Sequence, residues 1–301
     1  MLCCVAVVLL AGTSCGSGRS TPNAPNYAVA TRVLHLHDPS RTTDPTPRDP
    51  GGPDAVPGRD LPTTLWYPAT GSGPFPVVVF SHGLDAQPSG FADLLSRWAS
   101  AGFVVAAPTF PLTSKGSPRV IDDVGKQPGD VSFVLTQVLA LNTARNGPLE
   151  GRIDTGHIAA AGHSLGGATT LGLSFHCCQD RRVTAAVVLA GTTLGNPTDF
   201  AAPDVPSLYV HGTDDEFVPF GDGKAIYAAA PAPKAFLELP GGSHTEPYFD
   251  LSDPHHAAVR TVTTDFLRWA LNHDEAALQR LRSEANQPGV ATLTDDELSG
   301  R

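Results

Sequence analysis

The stretch His157-Ile158-Ala159-Ala160-Ala161-Gly162-His163-Ser164-Leu165-Gly166-Gly167-Ala168-Thr169-Thr170-Leu171 decides how the rest of the chain is read. An apolar run ends at Ala161, a serine stands two places after one glycine and two before another, and a helix-forming segment follows. The pattern is strand, tight turn, helix. Gly162 and Gly166 let the backbone turn without a Cβ clash, which exposes the Ser164 hydroxyl. Ser164 also falls at a helix N-terminus, where unpaired N–H groups and the helix dipole favour negative charge developing beside it. A glycine turn of purely structural purpose has the same spacing, but the flanking strand and helix favour a reactive hydroxyl.

Around this turn the chain alternates in character. Short apolar runs rich in β-branched or small residues, expected as strands, cover 77–80, 103–107, 157–161, 183–190, 207–210 and 235–239. Helix-period segments cover 89–100, 130–144, 164–176, 221–230 and 254–271. Strands apolar throughout, separated by helices, imply an α/β fold with a mainly parallel central sheet and helices on both faces. Before these lie an alternating strand at 33–37, a polar loop at 38–58 and a second strand at 61–67, expected to form an antiparallel, hairpin-like edge. One α/β domain over 28–272 is expected, between a leader and linker at 1–27 and a tail at 273–301 that would pack peripherally or be disordered.

A serine hydroxyl needs a base to deprotonate it and a carboxylate to orient that base. The run Pro206-Ser207-Leu208-Tyr209-Val210-His211-Gly212 reads as a core strand, so Asp214 and Asp215 stand in the loop at its C-terminal end. Active-site loops of parallel sheets lie at that edge. The next strand, Ala235-Phe236-Leu237-Glu238-Leu239, leads into Pro240-Gly241-Gly242-Ser243-His244, which places His244 on the following loop. His244 is the candidate base by position. His163 is expected to pack beneath the turn, His82 and His211 to be structural, and His255 and His256 to lie in a cap region or on the surface.

Serine, acid and histidine therefore arrive in that order on three strand ends, and here the chain resembles the α/β-hydrolase superfamily from about residue 61 to 271. The resemblance implies a Ser164, Asp215, His244 triad, since the superfamily's His-Gly-x-x-Asp-x-x-Val-Pro pattern puts its acid on Asp215, with Asp214 second. A tetrahedral intermediate needs two N–H donors. Leu165 supplies one, and the loop Ser81-His82-Gly83-Leu84-Asp85 the other, through the Leu84 amide. The run Phe80-Ser81-His82-Gly83-Leu84 is similar to the chlorophyllase, platelet-activating-factor acetylhydrolase and dienelactone-hydrolase-like branch. Dienelactone hydrolases proper use a cysteine nucleophile, so Ser164 argues against carrying over their substrate.

Superfamily caps usually follow the sixth strand, and 191–206 is too short for one. The loop at 110–130 would shape a groove rather than seal a cavity, with Asp122 and Asp123 as solvated charges. An open site suits lipid or short-chain acyl esters cleaved through an acyl-enzyme on Ser164. Polyester chains rank behind them, because polyester hydrolases usually have an aromatic residue where Leu84 stands. Acyltransfer or perhydrolysis on the same triad, and a non-catalytic binding lipoprotein, are the remaining alternatives. No cofactor or metal is called for.

Among the 301 residues, 41% are hydrophobic and 17% charged, enough apolar material for a sizeable core and too much for a disordered chain. A net charge of −10 with no basic stripe excludes nucleic-acid binding. The partner expected is a small-molecule, lipid or polymeric ester. Residues 1–11 form an apolar run too short to span a bilayer, read as an export signal although it lacks a positive start. Cys15 resembles a lipid-modified lipoprotein cysteine, which would attach the chain to a membrane in the cell envelope; simple cleavage and secretion is the alternative. Cys177 and Cys178 are open to a vicinal disulfide or to two thiols.

Overall fold

The computed structural model describes residues 26–45, 54–175, 178–194, 200, 205–296 and 298. The stretch read above as an export signal, Cys15 and Cys177 lie outside them; Cys178 is disulfide-bonded. No helix among the described residues is long and apolar enough to cross a membrane.

The strands are β1 (Val29–Thr43), β2 (Val56–Pro68), β3 (Phe75–Ser81), β4 (Val104–Pro108), β5 (Ile153–His163), β6 (Ala185–Leu189), β7 (Ser207–Gly212), β8 (Lys234–Leu239) and β9 (Thr292–Asp296). They form one sheet in the order β1-β2-β4-β3-β5-β6-β7-β8-β9. The six from β4 to β8 in that order are parallel, and β1, β2 and β9 run antiparallel to their neighbours. Because β4 and β5 flank β3 on opposite sides, the winding reverses there, and the crevice above the ends of β3 and β5 is where an open α/β sheet takes its ligand.

The helices are α1 (Ala92–Ser100), α2 (Gln127–Ala140), α3 (Leu165–Phe175), α4 (Phe220–Ala229), α5 (Glu246–Phe249), α6 (His256–Asn272) and α7 (Glu275–Glu284). Strand side chains alternate between the faces with period two. Val78, Phe80, Val105 and Val187 pack with Trp98 of α1 and Phe266 of α6. Val77, Val79, Val104 and Ile158 pack with Val134 and Leu135 of α2. Val188 and Tyr209 meet Phe175 of α3 and Ile226 of α4. Each fully buried aromatic or branched side chain contributes about 1.5–3 kcal/mol of transfer free energy. Both faces are covered, which is the α/β arrangement expected from the unbroken apolar runs.

Three features depart from expectation. The edge hairpin is longer than 33–37 with 61–67, because the chain kinks at Asp38 and then pairs again at Thr42. The Asp38 carboxylate makes this possible by accepting the Ser40 N–H at 3.0 Å and the Arg41 Nε–H at 2.7 Å. Asp123 is not a solvated loop charge. It is buried, and Arg59 donates to its two oxygens at 2.9 and 2.8 Å and to those of Asp130 at 2.7 and 2.6 Å. A buried guanidinium satisfied by two carboxylates in fork geometry fixes β2 to the start of α2, and losing one partner would strand a charge without water. The helix expected at 130–144 begins at Gln127, since Pro128 is tolerated in a first turn.

Beyond residue 272 the chain adds structure to the sheet. Asp274 caps α7 by accepting the Ala277 N–H at 3.1 Å, and Leu278 and Leu281 join the core. β9 pairs with β8 from Lys234↔Asp296 to Glu238↔Thr292.

Candidate active site

Ser164 stands between β5 and α3 with φ 56°, a left-handed conformation that costs a non-glycine residue about 1–3 kcal/mol. The turn that imposes it is closely packed. A Cβ at Gly162 would lie 2.1 Å from the Gly166 carbonyl oxygen, and one at Gly166 would lie 2.0 Å from that of Ser81. The Ser164 N–H donates to the Leu189 carbonyl at 2.9 Å, which anchors the turn to β6.

The structure brings Ser164, His244 and Asp215 into one chain of hydrogen bonds. Ser164 Oγ lies 2.9 Å from His244 Nε2, and His244 Nδ1 lies 2.7 Å from Asp215 Oδ2. His244 is 5% exposed and Asp215 9%, so the relay is sheltered up to the serine. Burial pushes the Asp215 carboxyl up, but hydrogen bonds from His211, His244 and the Val218 N–H outweigh it and hold the group well below the usual carboxylate range. It is therefore ionised and able to stabilise an imidazolium. Asp214 is exposed and accepts from the Thr213 hydroxyl at 3.0 Å instead.

Four other histidines hold this assembly in place. His163 Nε2–H donates to the His244 carbonyl at 2.8 Å, beneath the turn. His211, read as structural, has its Nε2 3.2 Å from Asp215 Oδ2 and 2.9 Å from the Val218 carbonyl. His255 stands at the N-cap of α6 and His256 opens the helix, in the cap region as expected, but both are buried, and their rings reach the carbonyls of Pro240 at 2.9 Å and Pro247 at 3.1 Å, on either side of His244. Sequence reasoning also missed Glu216, whose carboxylate accepts the His244 N–H at 3.2 Å.

The loop after β3 passes directly over the serine: a Cβ on Gly83 would lie 3.1 Å from Ser164 Cβ. The Leu84 and Leu165 amides donate to no acceptor among the described residues. Two unspent N–H groups beside a serine are what a developing oxyanion requires.

The PET hydrolase-like family model matches residues 61–279, most of the chain. This chain belongs to the PET hydrolase-like family. Its branch of the α/β-hydrolases is thus that of PET hydrolases and cutinases, and not the chlorophyllase and dienelactone-hydrolase-like branch suggested by Phe80 to Leu84. The chain is 32% identical over 191 residues to the bis(hydroxyethyl) terephthalate hydrolase of Streptomyces coelicolor, covering 61% of this chain and 55% of that protein. It is 29% identical over 187 residues to cutinase est2 of Thermobifida alba, covering 61% and 57%. To cutinase 1 of Thermobifida cellulosilytica it is 29% identical over 189 residues, covering 61% and 65%. The chain spans between 55% and 65% of the length of these relatives.

In this PET hydrolase-like chain the serine opens into a groove of about 740 Å³. Leu84, Ile121, Leu194, Phe217 and Phe249 make its apolar walls, and Lys115 and Arg119 also line it. Phe217 is 72% exposed, and its ring centroid lies 5.3 Å from that of His244.

Two neutral histidines under the site make the fold acid-sensitive. Burial, helped by the neighbouring His244, pushes His163 down to about 3 against a hydrogen bond to the His244 carbonyl and the Asp215 charge, and burial pushes His82 down to about 4 against one hydrogen bond to the Gly83 carbonyl. His82 is held by the Gly83 carbonyl at 2.8 Å and accepts the Phe110 N–H at 3.1 Å. The unfolded chain takes up these protons near pH 6.5 and the folded one does not, so their stability contribution is complete above that pH and falls as pH drops toward the folded values. Each histidine is expected to cost about 2 kcal/mol between pH 7 and 5. Urea unfolding at the two pH values measures it, and an unchanged midpoint contradicts it.

Proposed function

We propose that this chain is a serine carboxylester hydrolase that forms an acyl-enzyme on Ser164 and acts on polyesters and their short diol-ester fragments. The observation that carries the reading is the unbroken Ser164, His244, Asp215 relay on the floor of an open, apolar-walled groove. His244 Nε2 takes the serine proton as Oγ bonds to the ester carbonyl carbon, and the carbonyl electron pair moves onto oxygen. That oxygen is received by the Leu84 and Leu165 N–H groups. Collapse breaks the bond to the alcohol, which leaves with the proton from His244. Water, deprotonated by the same ring, then attacks the acyl-enzyme, and the acid departs as Ser164 recovers its proton. Asp215 holds Nδ1–H throughout and balances the imidazolium charge.

Polyester moves ahead of lipid as the substrate class for two reasons. The family and the terephthalate-ester hydrolase and cutinases similar to this chain favour it. So does the groove, where Phe217, Ile121 and Leu194 offer an aromatic and apolar rim despite Leu84 at the oxyanion loop. Rates on bis(2-hydroxyethyl) terephthalate, polyester film and triacylglycerols of graded chain length test the assignment. The diester and the film are expected to release acid faster than long-chain glycerides. Turnover confined to long-chain glycerides would return the enzyme to the lipases.

A further inference from the structure

Gln127 is fully buried at the first position of α2, and neither the fold nor the relay accounts for a polar side chain there. Its amide nitrogen donates to the Thr113 hydroxyl at 2.8 Å, and its amide oxygen accepts from the Thr169 hydroxyl at 2.6 Å. Thr113 and Thr169 are themselves buried, so this three-residue bridge has no water to replace either bond. Its two ends lead to the two halves of the site. The Thr113 carbonyl accepts the Asp85 N–H at 2.8 Å, and the Lys115 N–H donates to the Ala86 carbonyl at 2.9 Å, stapling the loop that presents the Leu84 amide. Thr169 lies one turn into α3, and its hydroxyl also reaches the carbonyl of Leu165, the residue whose amide is the other donor, at 3.3 Å.

From this geometry we infer that Gln127 is a positioning residue of the oxyanion hole, its side-chain amide setting the distance between the loop of Leu84 and the helix of Leu165. The inference rests on the proposed use of those two amides as donors. The amide is fixed from both sides along the chain, because Arg59 grips Asp123 and Asp130, four residues before it and three after. The two donors come from separate segments of chain, and a shift of a fraction of an ångström between them lengthens a hydrogen bond that exists only in the transition state. Such a shift lowers kcat and leaves ground-state binding alone.

The test is Gln127→Met, which keeps the length and removes both hydrogen bonds. On a soluble ester, kcat is expected to fall about 10- to 100-fold, a part of what losing a whole donor costs, with KM unchanged. Affinity for an alkyl boronic acid, which forms a tetrahedral adduct on serine, should weaken by the same factor, while inhibition by a product acid stays constant. Thr169→Val should reproduce the loss, Thr169→Ser should recover it by keeping the hydroxyl, and combining Gln127→Met with Thr169→Val should add nothing further. Active-site titration with a fluorophosphonate counts the folded sites in each variant. If Gln127→Met and Thr169→Val keep full kcat while Ser164→Ala is inactive, Gln127 has no part in positioning and the serine-hydrolase reading stands. A loss matched by a fall in titratable sites, or by an equal rise in KM and in the product-acid constant, makes the bridge merely structural and overturns the inference. Turnover surviving in Ser164→Ala removes the serine-hydrolase reading itself.

Discussion

Ser164→Ala is expected to lower kcat on any soluble ester by about 10⁶-fold, with binding of a product acid and the thermal midpoint nearly unchanged. The size of the effect follows from the wiring of the site. The hydroxyl oxygen lies 2.9 Å from His244 Nε2, and without it the imidazole has no side-chain nucleophile to activate. Alanine fits the same left-handed backbone with no more strain than serine and removes one partly exposed polar atom, so folding is not at stake. Initial rates on p-nitrophenyl acetate and a phosphonate titration measure the loss. Turnover within a hundredfold of the wild type would mean that another group attacks the ester.

Asp215→Asn should lower kcat by about 10⁴-fold, whereas Asp214→Asn should leave it within a few-fold. Asparagine is nearly isosteric but carries no charge to balance an imidazolium, and its NH₂ facing His244 favours the wrong tautomer. The same carboxylate accepts the Phe217 and Val218 N–H groups at 3.0 and 2.7 Å, bonds that an asparagine oxygen can keep. The loop should therefore survive, and the deficit should appear in kcat rather than in stability. Asp214 is exposed, and among the described residues its carboxylate accepts only from Thr213, so its replacement tests which of two adjacent carboxylates does the work. Equal effects at both positions would count against the relay.

What could be read from the chain beforehand follows from how local each signal is. The turn at Ser164 is legible within six residues through its glycine spacing, although only Gly162 answers a steric need of the turn's own backbone and Gly166 makes room for the Ser81 carbonyl at the end of β3. Strand runs such as 77–80 announce burial on both faces by composition alone. Strand order alone leaves Asp214 and Asp215 on the same loop, and the superfamily's His-Gly-x-x-Asp-x-x-Val-Pro spacing is what favours Asp215. Asp123 looked solvated because its partner, Arg59, comes from a distant hairpin, and nothing in either neighbourhood encodes the pairing. For the same reason Gln127 passed unnoticed. Its meaning lies in Thr113 and Thr169, which the fold alone brings together.

The C-terminal strand was illegible for a different reason. Thr292-Leu293-Thr294-Asp295-Asp296 is an edge strand with little apolar content, and its acids are taken up by distant groups: Arg282 donates to Asp295 at 2.6 Å and the Tyr227 hydroxyl to Asp296 at 2.7 Å. A half-exposed edge offers no continuous apolar run to detect. Phe80 to Leu84 and the Ser164 turn are too short to assign the branch of the superfamily, which rests on the match over residues 61–279.

In the proposed mechanism the Ser164 oxygen becomes the acyl carrier. Peptide mass mapping after stoichiometric reaction with a fluorophosphonate addresses it directly. One phosphonyl group per chain, carried on Ser164 and acquired far more slowly when His244 is replaced by alanine, is the predicted result. An adduct on any other side chain, or full labelling of Ser164→Ala, would contradict it.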